Sequence, residues 1–196
     1  MTATPAFRIE WKTDVGELMA IEPQLTDVAL HAAQLAAAYN EPENARLMGH
    51  MEQFSGKDVV EHYELMLDEG ARPFLLYVDG KLVGDADLRG IRDVAAEFAF
   101  MIAAREQQGR GLGTKFALMV HACAFGCLGL DRLYASIFPR NLASRRVFEK
   151  LGYVLDDSPE ARAFAEDAGD VTMVIDRVKF ERLHETVLKQ FRIAPR

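Results

Sequence analysis

The chain has 196 residues, of which 49% are hydrophobic and 27% are charged, and its formal net charge is −7. This composition is ordinary for a soluble globular protein of one domain. The acidic balance argues against nucleic acid as a main partner, because phosphate binding requires basic patches. No apolar run approaches the roughly 18 residues of a membrane span, and no signal-peptide pattern opens the chain. We therefore expect a cytoplasmic protein without a membrane partner.

The first third of the chain predicts two helices. Residues 1–12 indicate a loose lead-in or an edge strand. The alanine-rich stretch Thr26–Tyr39 predicts the first helix, and residues 40–56 predict a long polar loop. A second helix is expected over residues 55–69, because it opens with a serine and Asp58 follows at capping-box spacing.

The remainder of the chain predicts a sheet, with helices between its later strands. Asp79-Gly80 is a strong hairpin signal between two of these strands. The predicted strands are Phe74–Val78, Lys81–Leu88, Ala95–Ala103, Arg132–Phe138 and Val171–Val178. The predicted helices are Thr114–Leu128 and Asn141–Leu151.

This order of elements predicts the α/β class (α+β mixed), with a central mixed, mostly antiparallel sheet flanked by helices. Residues 1–196 are expected to form a single domain. Apolar residues recur at helical spacing over Phe180–Phe191, so residues 180–196 are predicted to be a C-terminal helical extension. That extension either packs on the domain or provides a homodimer contact. Residues 156–170 are acidic and irregular, and indicate a solvated loop or a surface that attracts a cation.

A glycine-rich stretch, Gln108-Gly109-Arg110-Gly111-Leu112-Gly113-Thr114, lies between a predicted strand and a predicted helix. Bare N–H groups at a helix N-terminus favour an anion, and glycine lets the main chain approach it closely. A Walker loop requires Lys directly after its last glycine, and here Thr114 intervenes. The dinucleotide pattern requires a third glycine at 114 or 116, which are Thr and Phe. The stretch therefore predicts a phosphate or pyrophosphate site of another kind.

A second stretch, Asn141–Tyr153, contains Asn-x-x-Ser and then Glu-Lys-Leu-Gly-Tyr. Together with Gln-x-x-Gly-x-Gly at residues 108–113, it resembles the GNAT N-acetyltransferase superfamily. The resemblance covers roughly residues 74–178, and its pattern is closest to the branch of ribosomal-protein N-terminal acetyltransferases.

The resemblance implies acetyl-CoA as a co-substrate. It places the pyrophosphate on the main chain of the residues Gln108, Gly109, Arg110, Gly111, Leu112, Gly113 and Thr114. It places the pantetheine arm near Ile102 and Ala104, where the strand diverges from its neighbour, with one amide facing the thioester carbonyl. Arg110 either adds positive charge to a phosphate or faces solvent. We expect no metal, because Cys123 and Cys127 lack further ligands at matching spacing.

Three hypotheses remain open for the general base. Glu97 matches the position of a glutamate base in several GNAT enzymes. If the following hairpin centres near Arg92, Asp87 lies opposite Glu97, with Asp85 on the same face. Such crowding raises the pKa of at least one carboxylate and makes it a candidate proton acceptor. Asp87 is the alternative base, and an exposed or salt-bridged Glu97 without a catalytic role is the third hypothesis.

The general acid departs from the commonest pattern of the family. Many members place a tyrosine where this chain has Phe148, which cannot donate a proton. In the ribosomal-protein branch, a serine three residues after the Asn does this work, which implies Ser144 here. The alternative is a serine that bonds the main chain of its own helix. Asn141 is expected to cap that helix and to contact the pantetheine or a bound water.

The leading functional hypothesis is an acetyl-CoA-dependent N-acetyltransferase. Its acceptor would be a primary amine: a protein N-terminus, a small metabolite amine or an aminoglycoside-like antibiotic. The alternative is a GNAT-fold module that binds CoA without catalysis, as a sensor or scaffold, and Phe148 is its best support.

Overall fold

The computed structural model describes residues 5–49, 52–103 and 107–196. Within them, nine strands form one sheet in the order β7-β8-β6-β5-β4-β3-β2-β1-β9. The strands are β1 (Phe7–Thr13), β2 (Gly16–Ile21), β3 (Arg72–Val78), β4 (Lys81–Arg92), β5 (Ala95–Ile102), β6 (Arg132–Ile137), β7 (Val154–Leu155), β8 (Val171–Asp176) and β9 (Arg192–Pro195). The helices are α1 (Leu25–Tyr39), α2 (Pro42–Met48), α3 (Gly56–Asp68), α4 (Leu112–Gly126), α5 (Leu142–Leu151), α6 (Pro159–Arg162) and α7 (Arg177–Leu188).

The predicted fold class is confirmed. Every neighbouring pair of strands among the described residues is antiparallel, apart from the parallel pair of β5 and β6. That parallel pair needs a crossover, which α4 provides. In the described ranges, no helix combines the length and apolar composition needed to cross a membrane.

Local turn and cap signals in the sequence predicted the structure well. Asp79 and Gly80 both have positive φ, 48° and 73°, as the tight hairpin between β3 and β4 requires. Ser55 and Asp58 form the capping box at the start of α3. At the end of α5, Gly152 has a φ of 98° and terminates the helix in the left-handed region.

The prediction of a loop over residues 40–56 was wrong, because α2 occupies part of it. Proline is favoured in the first turn of a helix, where its missing N–H is not needed, and Pro42 opens α2. Glu41 caps the helix, with its carboxylate accepting the N–H groups of Glu43 and Asn44. Because glutamate is not among the usual N-cap residues, the sequence pattern carried no strong start signal.

The two chain ends also differ from the sequence prediction. β1 pairs with β2 on one side and β9 on the other, so it is neither a loose lead-in nor an edge strand. The predicted C-terminal helical extension over 180–196 is helical only to Leu188, and the chain then returns to the sheet as β9. Ile193 of β9 packs against the main hydrophobic core. A strand of four residues is too short to show a period in the sequence.

The sheet separates two hydrophobic layers. On one face, side chains of β3 to β6 pack against α4, α5 and α7. On the other face, α1 and α3 cover β2 and β3. Because side chains alternate along a strand, the carboxylates of Asp85, Asp87 and Glu97 lie on the α1–α3 face.

Gly113, the last glycine of the predicted anion stretch, sets how closely α4 approaches the sheet. A Cβ atom at this position would lie 2.8 Å from Cε2 of Phe100 on β5 and 3.6 Å from Val147 on α5. The φ angle at Gly113 lies outside the left-handed region. Close packing therefore explains the glycine at position 113. Gly109 and Gly111, in contrast, have positive φ angles and open space around them.

We predict that Gly113→Ala lowers the free energy of unfolding by about 1–3 kcal/mol, because Phe100 must move to accept the methyl group. Gly126→Ala, in the same helix, is the matched control, since no atom lies within 4 Å of its added Cβ. The control should be neutral or stabilising, because alanine favours helix. Denaturant titrations of both variants measure this, and equal effects would contradict the close packing of α4 on β5.

Candidate active site

The parallel strands β5 and β6 separate midway along the sheet. Their pairing runs from Ala95–Arg132 to Glu97–Tyr134 and then ends, while β5 continues beside β4 to Ile102. The N–H of Ala103 donates to the carbonyl of Val83 on the β4 side. Since main-chain polar groups alternate between the two edges of a strand, those of Phe100 and Ile102 face the gap. A wedge thus opens between the two strands, bordered by unpaired β5 main chain.

The glycine-rich stretch lies at the end of this wedge. Gly109 and Gly111 have φ angles of 73° and 79°, which carry the chain into α4. The helix begins at Leu112, two residues earlier than predicted, and the first intrahelical bond runs from the Lys115 N–H to the Gly111 carbonyl. Gly111 offers no side-chain cap.

The amides at the start of α4 are therefore open. Within the described part of the chain, nothing accepts a hydrogen bond from the N–H groups of Leu112, Gly113 or Thr114. Three converging donors at the positive end of a 15-residue helix make an anion-binding geometry. Ala104, the other predicted pantetheine contact, lies outside the described residues.

The side chain of Gln108 has a structural contact. Its Nε2 donates to the carbonyl of Ile102 at 2.9 Å and to Oδ1 of Asn44 at 3.2 Å. Asn44 is buried, and its own Nδ2 donates to the carbonyls of Ala38 and Ala103. Gln108 thus ties the glycine-rich stretch to the end of β5 and to α2.

Arg110 is exposed, and its Nη1 lies 3.1 Å from Oε1 of Gln107. Its guanidinium therefore borders the glycine-rich stretch on the solvent side, where it retains free donors.

The start of α5 forms the opposite wall of the wedge. Asn141 caps the helix, as predicted, by accepting the Ser144 N–H at 3.0 Å, and its Nδ2 lies 3.5 Å from the carbonyl of Leu47 on α2. The Ser144 hydroxyl makes no hydrogen bond with any described residue, so the alternative of a serine bonded to its own helix finds no support. Phe148 is buried against Phe98 and Phe100.

One cavity of about 370 Å³ lies between the start of α5, the open part of β5 and the helices on the other side of the site. It extends from Ser144, Asn141 and Phe148 on α5, past the gap between β5 and β6, to α2 and α3. Seven carboxylic acids line it, against Arg89 and His62 as its basic residues within the described chain. The acids are Asp58, Asp85, Asp87, Glu97, Glu166, Asp167 and Asp170.

The predicted strand register was wrong by two residues. Glu97 lies opposite Arg89, and Asp87 lies opposite Ala99. A slip of two preserves the face, so the predicted grouping of Glu97 with the two aspartates on one face still holds. The change brings an arginine into the carboxylate row. The Arg89 guanidinium contacts Asp87 at 2.7 Å and Glu166 at 2.5 Å.

Glu97 is buried at the base of the wedge and accepts a hydrogen bond from the main-chain N–H of Ser136 on β6. Its pKa is raised to about 8, mainly by burial; the charges of Glu166 and Asp87 act in the same direction, and Arg89 opposes them. A carboxyl group with this pKa changes its protonation state in the range where a general base must work.

Asp85 was noted in the sequence only as a neighbour of Asp87, and the structure gives it a distinct setting. Its Oδ2 accepts hydrogen bonds from the hydroxyls of Tyr39 on α1 and Tyr63 on α3. Burial raises the pKa of Asp85 to about 6, opposed by these two hydrogen bonds. The tyrosines are 46 and 22 residues away in the chain, so no local spacing could have revealed the group.

A family model described as an acetyltransferase (GNAT) domain matches residues 23–154. The probable N-acetyltransferase YjcK of Bacillus subtilis (strain 168) is 32% identical over 101 residues, which cover 50% of this chain and 56% of that protein. The spermidine N(1)-acetyltransferase of Escherichia coli (strain K12) is 32% identical over 91 residues, or 45% of this chain and 48% of that protein. The chain thus spans about half the length of the curated relatives that it matches.

Among solved structures, Mycobacterium smegmatis RimJ in complex with CoA-disulfide superposes with a TM-score of 0.75. The match covers 96% of this chain and 97% of the other at 16% identity. At that identity the likeness establishes a common fold.

Proposed function

Because this chain belongs to the acetyltransferase (GNAT) family, we propose that it transfers an acetyl group from acetyl-CoA to a primary amine by direct attack in a ternary complex. One observation carries the proposal. A single cavity connects the open edge of β5 and Ser144 with a row of carboxylates that includes a buried Glu97 of raised pKa. The part of the cavity beside β5 and Ser144 would receive the acyl-CoA, and the part with the carboxylates would receive a cationic amine.

The start of α4 fits the diphosphate of CoA. The amides of Leu112, Gly113 and Thr114 converge without an internal acceptor among the described residues. Gly109 and Gly111 leave the approach free of side chains, and Arg110 adds a positive charge at the rim. An anion at this position is favoured by the helix dipole and by direct hydrogen bonds.

The open main chain of β5 fits the pantetheine arm. The unpaired groups of Phe100 and Ile102 can bind the amides of the arm as a neighbouring strand would. When bound, acetyl-CoA supplies an already activated thioester. A β5 N–H facing its carbonyl would stabilise the negative charge that develops during attack.

Glu97 is the proposed general base. A primary amine has a pKa near that of lysine, about 10.4, and arrives as an ammonium at neutral pH. Glu97 lies at the base of the wedge, and its ionised form can accept a proton from that ammonium, directly or through water. Asp87 is less suited to this role, because the Arg89 guanidinium already binds it.

Ser144 is the proposed general acid. Its hydroxyl lines the cavity beside Asn141 and has no partner among the described residues, so it is free to donate to the leaving thiolate. Asn141, which fixes the first turn of α5, positions this hydroxyl and has an amide near the proposed pantetheine path.

The acceptor is proposed to be a cationic primary amine, in a small molecule or at a protein N-terminus. Excess carboxylates in a partly enclosed cavity attract cations and raise their local concentration. The E. coli relative is named as acting on spermidine, which fits this charge pattern.

A CoA-binding module without catalysis is the second candidate, favoured by Phe148 at the position of the usual tyrosine acid. We predict that the protein releases free thiol from acetyl-CoA when incubated with amines, and that the rate depends on the class of amine. A thiol-reactive dye follows the reaction. Thermal stabilisation by CoA with no thiol release for any amine in the panel would favour the module and contradict the enzyme.

We predict that kcat/KM for an amine rises with pH and shows a limb near pH 8, where Glu97 loses its proton. Glu97→Gln should remove this limb and leave the titration of the amine itself, near pH 10. Glu166→Gln is the directional control: Glu166 raises the pKa of Glu97, so its removal should move the limb to lower pH. A parent-like profile for Glu97→Gln would exclude Glu97 as the base.

We predict that Ser144→Ala lowers kcat about tenfold or more, since a general acid contributes on this scale. The affinity for acetyl-CoA should stay near that of the parent, because the substitution keeps the Ser144 N–H that Asn141 accepts. Calorimetric titration with CoA and steady-state kinetics separate the two effects. Unchanged turnover would remove Ser144 from the mechanism.

A further inference from the structure

Asp85 presents one carboxylate oxygen to the acceptor side of the cavity. The hydroxyls of Tyr39 and Tyr63 both donate to the same oxygen, Oδ2, from two different helices. This double contact fixes the orientation of the carboxylate. The hydrogen bonds that described residues donate to Asp85 all reach Oδ2 and none reaches the other oxygen, Oδ1. Asp85 belongs to the cavity wall.

No basic group of the described chain is paired with this carboxylate. Arg89, the guanidinium in the cavity wall, is engaged by Asp87 and Glu166. Removing a carboxylate from water without a partner cation costs free energy. The two tyrosines offset part of that cost through hydrogen bonds to Oδ2, and they leave Oδ1 for a partner outside the chain.

Asp85 is separated from the proposed base along the strand. It pairs with Met101, which lies four residues beyond Glu97 on β5, so the two positions are roughly 13 Å apart. Asp87 lies between them, and Arg89 neutralises it. Along β4 and β5, the acidic groups Asp85 and Glu97 are therefore separated by the ion pair of Asp87 and Arg89.

The surroundings of Asp85 suit a methylene chain that carries a cation. The rings of Tyr39, Tyr63 and Phe54 line the same part of the cavity, with Tyr39 and Phe54 in edge contact at 6.2 Å. Aromatic rings cover apolar segments and stabilise nearby cations through their π faces.

We infer that Asp85 Oδ1 binds a second, non-reacting ammonium group of the acceptor, and that the acceptor is a small diamine or polyamine. This inference rests on the proposed function, since it names the acceptor of that reaction. Asp85 is then a specificity-determining residue, and Tyr39 and Tyr63 position it. The reacting amine lies at Glu97, and the second ammonium anchors the far end of the molecule.

The test compares octylamine with diaminooctane, which have the same chain length and differ in the second ammonium. For the parent protein, kcat/KM for diaminooctane should exceed that for octylamine at least tenfold, because only diaminooctane has a second ammonium to form a charge-assisted hydrogen bond with Asp85. Asp85→Asn should reduce this preference about tenfold, mainly through the KM for diaminooctane. Asparagine has the same shape and can still accept from both tyrosine hydroxyls, so the fold is retained.

Asp167→Asn is the matched control, because Asp167 lines the same cavity, is exposed and has no tyrosine contacts. It removes one negative charge from the cavity and should change the preference less than threefold. An equal loss in both variants would show a general charge effect and overturn the inference.

A parent protein that uses octylamine and diaminooctane equally well would also overturn it, while the proposed acetyl transfer would stand. Absence of thiol release with either amine, and with every other amine of the panel, would instead overturn the proposed function together with this inference.

Discussion

The separation of β5 from β6 after Glu97 is the constraint on which the rest of the site depends. A continuous parallel pair would consume the main-chain groups of Phe100 and Ile102 and close the cavity. Because the pairing ends, β5 keeps one free edge while β4 holds it rigidly on the other. The glycine-rich stretch before α4 lies at the end of β5, where Gln108 donates to the Ile102 carbonyl, and the start of α5 lines the cavity beside β5.

Three carboxylates of the cavity have different surroundings. Glu97 is buried beside other acids, and its pKa rises to about 8. Asp85 is stabilised by two tyrosine hydroxyls, and its pKa rises only to about 6. Asp87 is bound by Arg89. Different surroundings thus give Glu97 and Asp85 different pKa values, which is how neighbouring carboxylates acquire separate tasks.

Helix α2 connects the two halves of the site. Asn44, in the middle of the helix, accepts from Gln108 in the glycine-rich stretch. The carbonyl of Leu47, near its end, lies within reach of Asn141 on α5. The same turn contributes Leu47, Met48 and Gly49 to the cavity wall. The wall on the acceptor side is therefore held by the segments that border the proposed CoA site.

Short-range chemistry in the sequence determined the fold class, the hairpin at Asp79-Gly80, the cap by Asn141 and the location of the glycine-rich stretch. These features depend on the residues themselves and on neighbours a few positions away. The tertiary structure alone decided the pairing of Glu97 with Arg89, the return of the C-terminus as β9, and the contact of Asp85 with Tyr39 and Tyr63. Each of these joins segments far apart in the chain, where strand register and helix packing, rather than local preference, set which side chains meet.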